Sequence, residues 1–539
     1  MHRRGRRRLS VALVYPNAYG VGMANLGFQT VYRLLNEIDG VRCERVFLDQ
    51  EGTDVRSLET GRRLAHFHII AFSLSFELDY LNVAQMLVSA DLPLRSSDRD
   101  GTSPLVMAGG VSVTLNPEPL APLIDLFVIG ESEEVLEAVI DCYEIHQRAR
   151  SSRQETLLAL AQIPGVYVPR FYAFEYVAGG ILAKIEPIQR VPSRVRRQWL
   201  QEIDSVQTFS PIVSPQSHFR DMFLVEVGRG CPRGCRFCAS GYIYRPFRCR
   251  SKEALISTIG EQGEGTKRIG LVGSAVSDHR GFEDLCVELV GRGYQLGVSS
   301  FRADALTPRL VETFVQGGMR TLTLAPETGS EWLRWRIHKN LTDEEILAAV
   351  RAASAGGMTN LKLYFMVGFP FAEEDEISAI LSLVKRIHRE FFAPKSKRGR
   401  VTVSVHPFVP KPSTPLQWSQ MEEAGSLARQ LARIESGLQK ISRIKVTPKS
   451  PRRALLQGLF SVGDRRVGEA ICHKVQDRIH WKRAWQKAGI EPEPYLYRQK
   501  AFEEILPWDV LDSGISKKAL WNEYETMRTL APQREASRL

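Results

Sequence analysis

Three cysteines stand within eight residues, in the segment Val227-Gly-Arg-Gly-Cys231-Pro-Arg-Gly-Cys235-Arg-Phe-Cys238. The glycines of this loop permit the tight backbone turns that would bring Cys231, Cys235 and Cys238 to three corners of one iron–sulfur cube. The fourth iron of such a cube would have no local protein ligand, and an open position of this kind is what coordination of a substrate needs, as in a catalytic zinc site. The alternative is a structural zinc knot with Cys249 as fourth ligand, although structural zinc more often uses two separated C-x2-C pairs.

A regular alternation of apolar runs and helical patterns begins at Met222, immediately before the cysteine loop. Six strand-and-helix repeats of this kind predict a (β/α)6 partial TIM barrel over residues 222–420. Its strands are predicted at Phe223–Val227, Arg268–Val272, Gln295–Ser299, Thr321–Ala325, Asn360–Met366 and Arg400–Val405. Because barrel enzymes carry their chemistry at the carboxyl ends of the strands, the polar residues that follow each strand are candidate site residues.

The cysteine loop and its place after the first barrel strand resemble the radical S-adenosylmethionine (SAM) superfamily. The C-x3-C-x2-C loop of that superfamily usually has an aromatic residue before the last cysteine, and Phe237 occupies this place. The resemblance implies a [4Fe-4S] cluster that binds SAM, an electron donor such as flavodoxin or ferredoxin, and cleavage of SAM to a 5′-deoxyadenosyl radical. It also implies SAM-binding roles for Phe237, Ser274, Ser300, Arg302, Glu327 and Gly368.

The later strand ends differ in how closely they match that superfamily. Glu327–Ser330 reads Glu-Thr-Gly-Ser and is very similar to a segment whose glutamate accepts hydrogen bonds from the SAM ribose, although Ser330 is also explained by helix capping. Arg302 is either a partner for the SAM carboxylate or an ordinary surface arginine. His406, at the end of the sixth strand, is a substrate-side candidate or a buried structural histidine.

The amino-terminal residues 1–145 predict a doubly wound parallel sheet. Its strands are predicted at Val11–Tyr15, Arg45–Leu48, His68–Ser73, Leu105–Ala108 and Leu126–Ile129. The strand ends resemble the cobalamin-binding domain that precedes many radical SAM barrels, with candidate ligand-binding residues Asn17, Tyr19, Gly22, Ser73, Gly109 and Gly110. Asn17 replaces the aspartate of that domain and Tyr19 its cobalt-binding histidine, so the resemblance leaves cobalamin binding open and predicts no histidine below the cobalt.

The rest of the chain predicts two further regions. Residues 146–221 predict a linker or a small accessory unit, with a hairpin in which Phe171–Tyr176 and Ile181–Ile185 flank two glycines. Residues 421–539 predict a mostly helical, basic region. Within it, Ile441–Ile490 holds twelve Lys and Arg against three Asp and Glu, in a chain of formal charge +11. This segment is either an RNA-binding surface or a solvated helical face. Its candidate RNA contacts are Arg452, Arg453, Arg465, Arg466, Trp481, Lys482, Arg483 and Trp485.

From about residue 9 to 520 the chain resembles bacterial radical SAM proteins with a cobalamin-domain-like amino terminus and no assigned substrate. The leading hypothesis is a radical SAM enzyme that modifies or methylates an acidic macromolecule such as RNA. The second is a cobalamin-dependent radical SAM methyltransferase or rearranging enzyme acting on a small molecule, and the third is a non-catalytic iron–sulfur sensor or RNA-binding scaffold.

Cysteine usage and hydropathy narrow these hypotheses. Methylthiotransferases of this superfamily hold a second cluster on three further cysteines of their amino-terminal domain. Only Cys43 and Cys142 precede the barrel here, so a second cluster is not expected. Cys472, in the basic region, is either a substrate-side thiol or an inert buried one. Eight cysteines, three of them clustered as ligands rather than spaced as a disulfide framework, predict a reducing, cytoplasmic location. No apolar run approaches the ~20 residues that span a bilayer, so no membrane partner is expected.

Overall fold

The computed structural model describes residues 9–48, 55–177, 179–373, 375–393 and 398–530, so the basic head at residues 1–8 lies outside the described residues. The chain divides into two compact units. The first unit runs to Phe223 and includes Gln457–Leu496 and Ala501–Gly514, while the second comprises Leu224–Leu456, Tyr497–Lys500 and the chain from Ile515 onward. The region predicted as 421–539 therefore contributes residues to both units.

The first unit begins with a sheet of alternating strands and helices. Its strands are β1 (Leu9–Tyr15), β2 (Val41–Phe47), β3 (Ile69–Ser73), β4 (Leu105–Gly109), β5 (Leu126–Val128), β6 (Val166–Tyr167), β7 (Tyr172–Tyr176), β8 (Leu182–Pro187) and β9 (Val195–Arg196). Its helices are α1 (Tyr19–Gly22), α2 (Leu26–Glu37), α3 (Tyr80–Ser89), α4 (Val111–Leu115), α5 (Leu136–Arg148) and α6 (Arg153–Leu160).

The main sheet of this unit has the strand order β2-β1-β3-β4-β5-β6. The pairs from β2 to β5 are parallel, and β6 adds an antiparallel edge. Every residue of β1 is buried, as expected for a parallel strand covered on both faces. The predicted doubly wound sheet is confirmed, and its strand order reverses between β1 and β3.

The sequence placed the second strand too late, at Arg45–Leu48, whereas β2 spans Val41–Phe47. The charged residues inside β2 obscured its apolar pattern. Glu44 is buried because Ser57 and Thr60 donate hydrogen bonds to its carboxylate, which lets a charged residue stay inside the sheet. The predicted hairpin is confirmed, since β7 and β8 pair in antiparallel register.

The second unit contains the strands and helices of the barrel. Its strands up to residue 407 are β10 (Phe223–Glu226), β11 (Gly228–Arg229), β12 (Arg248–Cys249), β13 (Arg268–Val272), β14 (Gln295–Val298), β15 (Thr321–Glu327), β16 (Asn360–Val367) and β17 (Arg400–Pro407). Its helices to that point are α7 (Ser240–Ile243), α8 (Lys252–Gln262), α9 (Phe282–Gly291), α10 (Pro308–Gln316), α11 (Glu331–Arg336), α12 (Asp343–Ala355) and α13 (Glu376–Phe391).

All six predicted barrel strands form, in two sheets of order β10-β13-β14 and β15-β16-β17-β18. Burial alternates along β16, so that one face packs inward against the protein and the other is half-exposed. Neighbouring strands from β13 to β14 and from β15 onward pair in parallel. The predicted α/β partial barrel is confirmed, and the carboxyl ends of its strands form one rim.

The remaining elements are α14 (Ala424–Leu438), β18 (Ile444–Pro448), α15 (Pro451–Val462), α16 (Arg465–Gln476), α17 (Trp481–Lys487), α18 (Glu493–Leu496), β19 (Leu511–Asp512) and α19 (Lys517–Thr529). The mostly helical character of this region is confirmed. The strand β18 was not predicted, because its lysine and threonine residues interrupt a short apolar pattern that only pairing with β17 makes into a strand. Within the described ranges, no helix combines the length and the apolar character needed to cross a membrane.

Candidate active site

The cysteine loop follows β10 and turns sharply at its glycines. Gly230 and Gly234 have φ angles of +88° and +69°. A Cβ on Gly230 would lie 2.5 Å from the carbonyl oxygen of Tyr244, so this turn requires glycine. The Gly234 carbonyl accepts a hydrogen bond from the Tyr242 hydroxyl at 3.0 Å and lies 3.1 Å from His338 Nδ1. The backbone at Gly234 is therefore fixed by contacts from two side chains.

Cys231, Cys235 and Cys238 line one cavity of about 180 Å³. Burial raises the pKa of Cys231, and it raises the pKa of Cys235 to about 12 against the opposing effect of the Lys339 ammonium. No three His, Cys, Asp or Glu side chains among the described residues are close enough to hold a single metal ion. A cluster binds its cysteines through separate irons, so three thiols around one cavity fit its chemistry.

Cys249, the fourth ligand of the zinc alternative, lies on β12 opposite Gly228 of β11. It is not among the residues that line the cavity. Burial raises the pKa of its thiol to about 11, as burial also raises the pKa of Cys231 and Cys235, so the pKa values do not separate the two alternatives. The geometry therefore favours a three-thiol site over a four-thiol zinc knot.

The cavity also collects residues from several strand ends. Phe237 of the loop lines it, together with Ser274 after β13, Ser300 and Arg302 after β14, and Glu327 at the end of β15. Parallel strands bring their carboxyl ends to the same rim, which is why residues so far apart in sequence meet here. Five of the six residues assigned to SAM by resemblance thus share the space beside the cysteines.

Glu327 has the most constrained backbone of this group. Its φ is +72°, in a region that residues other than glycine seldom adopt. The pairing of β15 with β16 shifts register between Leu324 and Glu327. The Glu327 carboxylate accepts a hydrogen bond from Lys339 Nζ at 3.0 Å, and both side chains are largely buried. Backbone strain of this kind clusters at functional sites.

The Arg302 guanidinium already has hydrogen-bond partners. It donates to both carboxylate oxygens of Asp304, each at 2.9 Å, and to the carbonyl oxygens of Lys339 and Asn340. The Arg302 side chain is only 12% exposed, which does not fit an ordinary surface arginine. A SAM carboxylate that pairs with Arg302 would have to share or replace the Asp304 contact.

Two cations of the cavity were missed by sequence reasoning. Lys339 follows α11; burial lowers its pKa, but the Glu327 carboxylate outweighs this effect, so the net pKa is raised. Arg233 pairs with Asp278 at 2.6 Å and lies 3.7 Å from Asp304. The position of Arg233 between Cys231 and Cys235 could have identified it as a cavity residue from the sequence. No sequence pattern identifies Lys339 in this way.

Two other candidates lie outside the lining of this cavity, namely Gly368 and His406. Gly368 has a φ of +75°, and a Cβ there would lie 2.7 Å from Leu427, so backbone conformation and packing account for the glycine. His406 lies on β17, on the half-exposed face of the sheet. Ser330 caps α11, since its hydroxyl accepts a hydrogen bond from the Leu333 amide at 3.2 Å, and the capping explanation is confirmed.

The first unit has a separate candidate ligand region, at the point between β1 and β3 where strand order reverses. The Asn17 amide donates to the Asp79 carboxylate at 2.9 Å. Tyr19 begins α1, and its hydroxyl donates to Ser214 at 3.1 Å. Ser73 ends β3 and is half-buried. Asn17 and Tyr19 therefore have partners within the unit.

The three candidate glycines of this region differ in whether the fold leaves room for a side chain. Gly110 has a φ of +111°, and a Cβ on it would lie 2.4 Å from the Leu74 carbonyl oxygen. A Cβ on Gly22 would lie 2.5 Å from the ring of Phe47. At Gly109 the nearest atom would be 3.7 Å away. Packing of the chain itself thus requires glycine at Gly22 and Gly110, while Gly109 has ordinary room around it.

Several residues of the basic segment make contacts inside the first unit. Arg465 donates to the carboxylate of the fully buried Glu118 at 2.9 Å. Arg466 pairs with Asp464 at 2.6 Å. Trp485 is buried and stacks on Trp481, with ring centres 4.5 Å apart. The other candidate contacts are exposed, namely Arg452, Arg453, Lys482 and Arg483.

Cys472 lies on α16 and has no exposed surface. Burial raises the pKa of its thiol to about 12. A thiol that is buried and protonated reacts poorly, so the structure fits the inert alternative rather than the substrate-side one.

Comparisons with known proteins agree with these observations. Residues 27–169 match the family model for the amino-terminal region of radical SAM proteins, and residues 225–384 match the radical SAM superfamily model. An uncharacterised protein of Methanocaldococcus jannaschii is 28% identical over 467 residues, which cover 86% of this chain and 90% of that protein. An uncharacterised methyltransferase of Pyrococcus horikoshii is 22% identical over 298 residues, which cover 53% of this chain and 59% of that protein.

The structure also resembles the radical SAM methyltransferase TsrM of Kitasatospora setae, solved with cobalamin and a [4Fe-4S] cluster, with a TM-score of 0.53. The two are 14% identical, and the match covers 88% of this chain and 100% of that chain, so the likeness concerns the fold. Fold and cavity define a partial-barrel enzyme with a three-cysteine loop. The chain belongs to the radical SAM superfamily and is a radical SAM enzyme, which uses a [4Fe-4S] cluster and SAM.

Proposed function

We propose that Cys231, Cys235 and Cys238 hold the cluster and that the cavity beside them binds SAM, with Glu327 accepting hydrogen bonds from the ribose. The observation that carries this proposal is that the three thiols and polar groups from three strand ends line one cavity. A bound cluster would supply the electron that splits SAM into methionine and a 5′-deoxyadenosyl radical. The nearby Lys339 supports the proposal because an ammonium favours the anionic thiolate form of a cysteine.

The test is anaerobic reconstitution with iron and sulfide, followed by incubation with SAM and a reductant. We expect about four irons and four sulfides per chain. We also expect conversion of SAM to 5′-deoxyadenosine and methionine. Cys231→Ala, Cys235→Ala and Cys238→Ala should each abolish both results, because each removes one thiolate ligand.

Cys249→Ala is the matched control for these variants, because this cysteine lies outside the cavity lining. It should retain the full iron content and the cleavage of SAM. Loss of metal in this variant would instead favour the zinc knot. A wild-type protein that binds the cluster and never cleaves SAM would be a sensor rather than an enzyme.

Cobalamin-dependent methyl transfer is the second candidate function. The reversal of strand order between β1 and β3 supports it, as does the fold shared with TsrM, whose structure contains cobalamin. A neutral tyrosine is a poor cobalt ligand, and the Tyr19 hydroxyl already bonds to Ser214. Titration with hydroxocobalamin should therefore give no binding or a complex without the spectrum of imidazole ligation. Imidazole nitrogen on cobalt would contradict this expectation, and absence of binding would remove this second candidate.

The same proposal includes the partners and the location. An RNA substrate would rely on the exposed residues of the basic segment, because Arg465 and Arg466 are already paired. A flavodoxin or ferredoxin is proposed as the electron donor. A reducing cytoplasm is proposed as the setting, in keeping with eight cysteines that are all free.

A further inference from the structure

The half-exposed face of the β15–β18 sheet leads to the candidate SAM cavity. Lys362 and Tyr364 lie on this face of β16, since burial alternates along the strand. Lys362 is paired in register with Thr323 of β15. Ala325, two residues after Thr323 and on the same face, lines the cavity. The face that carries Lys362 is therefore continuous with the wall of the cavity.

Two basic residues lie on this face, Lys362 of β16 and His406 of β17, and Lys449 is the residue that follows β18. Lys362 Nζ lies 4.9 Å from the centre of the Tyr364 ring, and that ring lies 5.9 Å from the His406 ring. The Lys449 amide donates to the Val405 carbonyl at 2.9 Å, which places Lys449 beside the end of β17. Burial lowers the pKa of His406, and the charges of Lys449 and Lys362 lower it further.

The two lysines have no ion-pair partner among the residues that the structure describes. Within the described ranges, no carboxylate lies within 4.0 Å of the amino groups of Lys362 and Lys449. The Ser404 hydroxyl lies 3.1 Å from His406 Nε2, and Nδ1 has no hydrogen-bond partner among the described residues. Two ammonium groups without a carboxylate partner among the described residues, beside a histidine, can be satisfied by a bound anion.

We propose that Lys362, His406 and Lys449 form a subsite for an oxyanion of the substrate, either a phosphate or a carboxylate. Two ammonium groups and a ring N–H can donate charge-assisted hydrogen bonds to one such group. The proposal rests on the proposed function, because a substrate anchored here would lie on the face that leads to SAM. It narrows the substrate class to acidic molecules. It also gives His406 a role in binding the substrate, outside the cavity that is proposed to bind SAM.

The test is calorimetric titration of the reconstituted full-length protein with inorganic phosphate and, separately, with acetate. Binding of phosphate alone would indicate a phosphorylated substrate, and binding of acetate would indicate a carboxylate, both in support of the subsite. Lys362→Gln and Lys449→Gln should each weaken anion binding by at least about tenfold, because each removes one charge-assisted hydrogen bond. Lys362→Arg keeps the charge and should retain most of the affinity, which separates charge loss from misfolding.

Lys385→Gln is the matched control, because Lys385 is exposed on α13 and takes no part in the subsite. Its anion affinity should equal that of the wild type. The subsite is overturned when the wild type binds neither anion, or when the Lys362→Gln, Lys449→Gln double variant binds as tightly as the wild type. Failure of the wild type to cleave SAM would overturn the proposed function and leave the anion titration readable, so the two failures are distinguishable.

Discussion

Among individual residues, Glu327 concentrates the unusual features of the cavity. Its positive φ costs energy of about 1–3 kcal/mol in an L residue, and the surrounding structure must hold it there. The ion pair with Lys339 places a buried cation beside both Glu327 and Cys235. A residue kept in a strained conformation with its carboxylate at a cavity wall is well suited to position a ligand.

Glu327→Gln tests this assignment directly. The variant keeps the shape of the side chain and loses the charge, so SAM binding should weaken by ~1.5–3 kcal/mol, the range for hydrogen bonds to charged groups. Equilibrium dialysis of SAM with the reconstituted protein measures the change. Glu344→Gln, on the exposed surface of α12, should leave SAM affinity unchanged. Equal affinity in both variants would show that Glu327 does not contact SAM.

At the level of strands, β10 ends in a carboxylate that anchors the cysteine loop. Glu226 pairs with Arg229 and with Arg250, each at 2.9 Å. Burial raises the pKa of Glu226, but the two guanidinium groups outweigh burial and lower it from 4.5 to about 2. These ion pairs connect β10 to the chain on both sides of the cysteines.

The Glu226 pKa predicts how stability depends on pH. Because the folded pKa is depressed, its stabilisation is present above about pH 4.5 and is lost as pH falls toward about 2. Glu226→Gln should therefore lower the free energy of unfolding by about 3 kcal/mol at pH 7, and this deficit should shrink between pH 4.5 and 2. Urea unfolding followed by circular dichroism measures it. Glu253→Gln, exposed on α8, should show a small difference that does not vary in this way; an unchanging deficit for Glu226→Gln would contradict the assignment.

For the molecule as a whole, the basic carboxyl-terminal segment is partly a structural element of the first unit. Arg465 reaches Glu118 near β5, and Asn116 donates to the carbonyl oxygens of Ser461 and Gly463. The ring of Phe460 stacks on Tyr80 of α3. The sequence pattern suggested a nucleic-acid surface, and the structure uses part of the same pattern to complete a core.

Arg465→Met tests this structural role. Removing the guanidinium leaves Glu118 buried without its ion-pair partner, so the free energy of unfolding should fall by ~3–5 kcal/mol. Lys482→Gln, which removes an exposed charge from α17, should change it by no more than ~0.5 kcal/mol. Urea unfolding of the two variants against the wild type measures both values. Equal stability of Arg465→Met and the wild type would mean that the ion pair does not hold the segment in place.

The local sequence was sufficient for features that depend on neighbouring residues. Three cysteines and their glycines identify the loop, because ligand spacing and backbone turns are local properties. The apolar runs identify all six barrel strands, because burial of parallel strands requires such runs. The residues after those strands could be named as site candidates because parallel strands end at one rim.

Tertiary structure alone decided the features that depend on residues distant in sequence. Lys339 reaches Glu327 only because the chain after α11 returns to the cavity, and no local pattern records that return. The glycines at 22 and 110 are required by Phe47 and Leu74, which approach them only in the folded sheet. Arg465 is a structural cation rather than a free one because Glu118 is buried opposite it. In each case the role of a charged or small residue is set by a residue that is distant in sequence and close in space. Electrostatic and steric energies depend on distance and burial rather than on position in the chain.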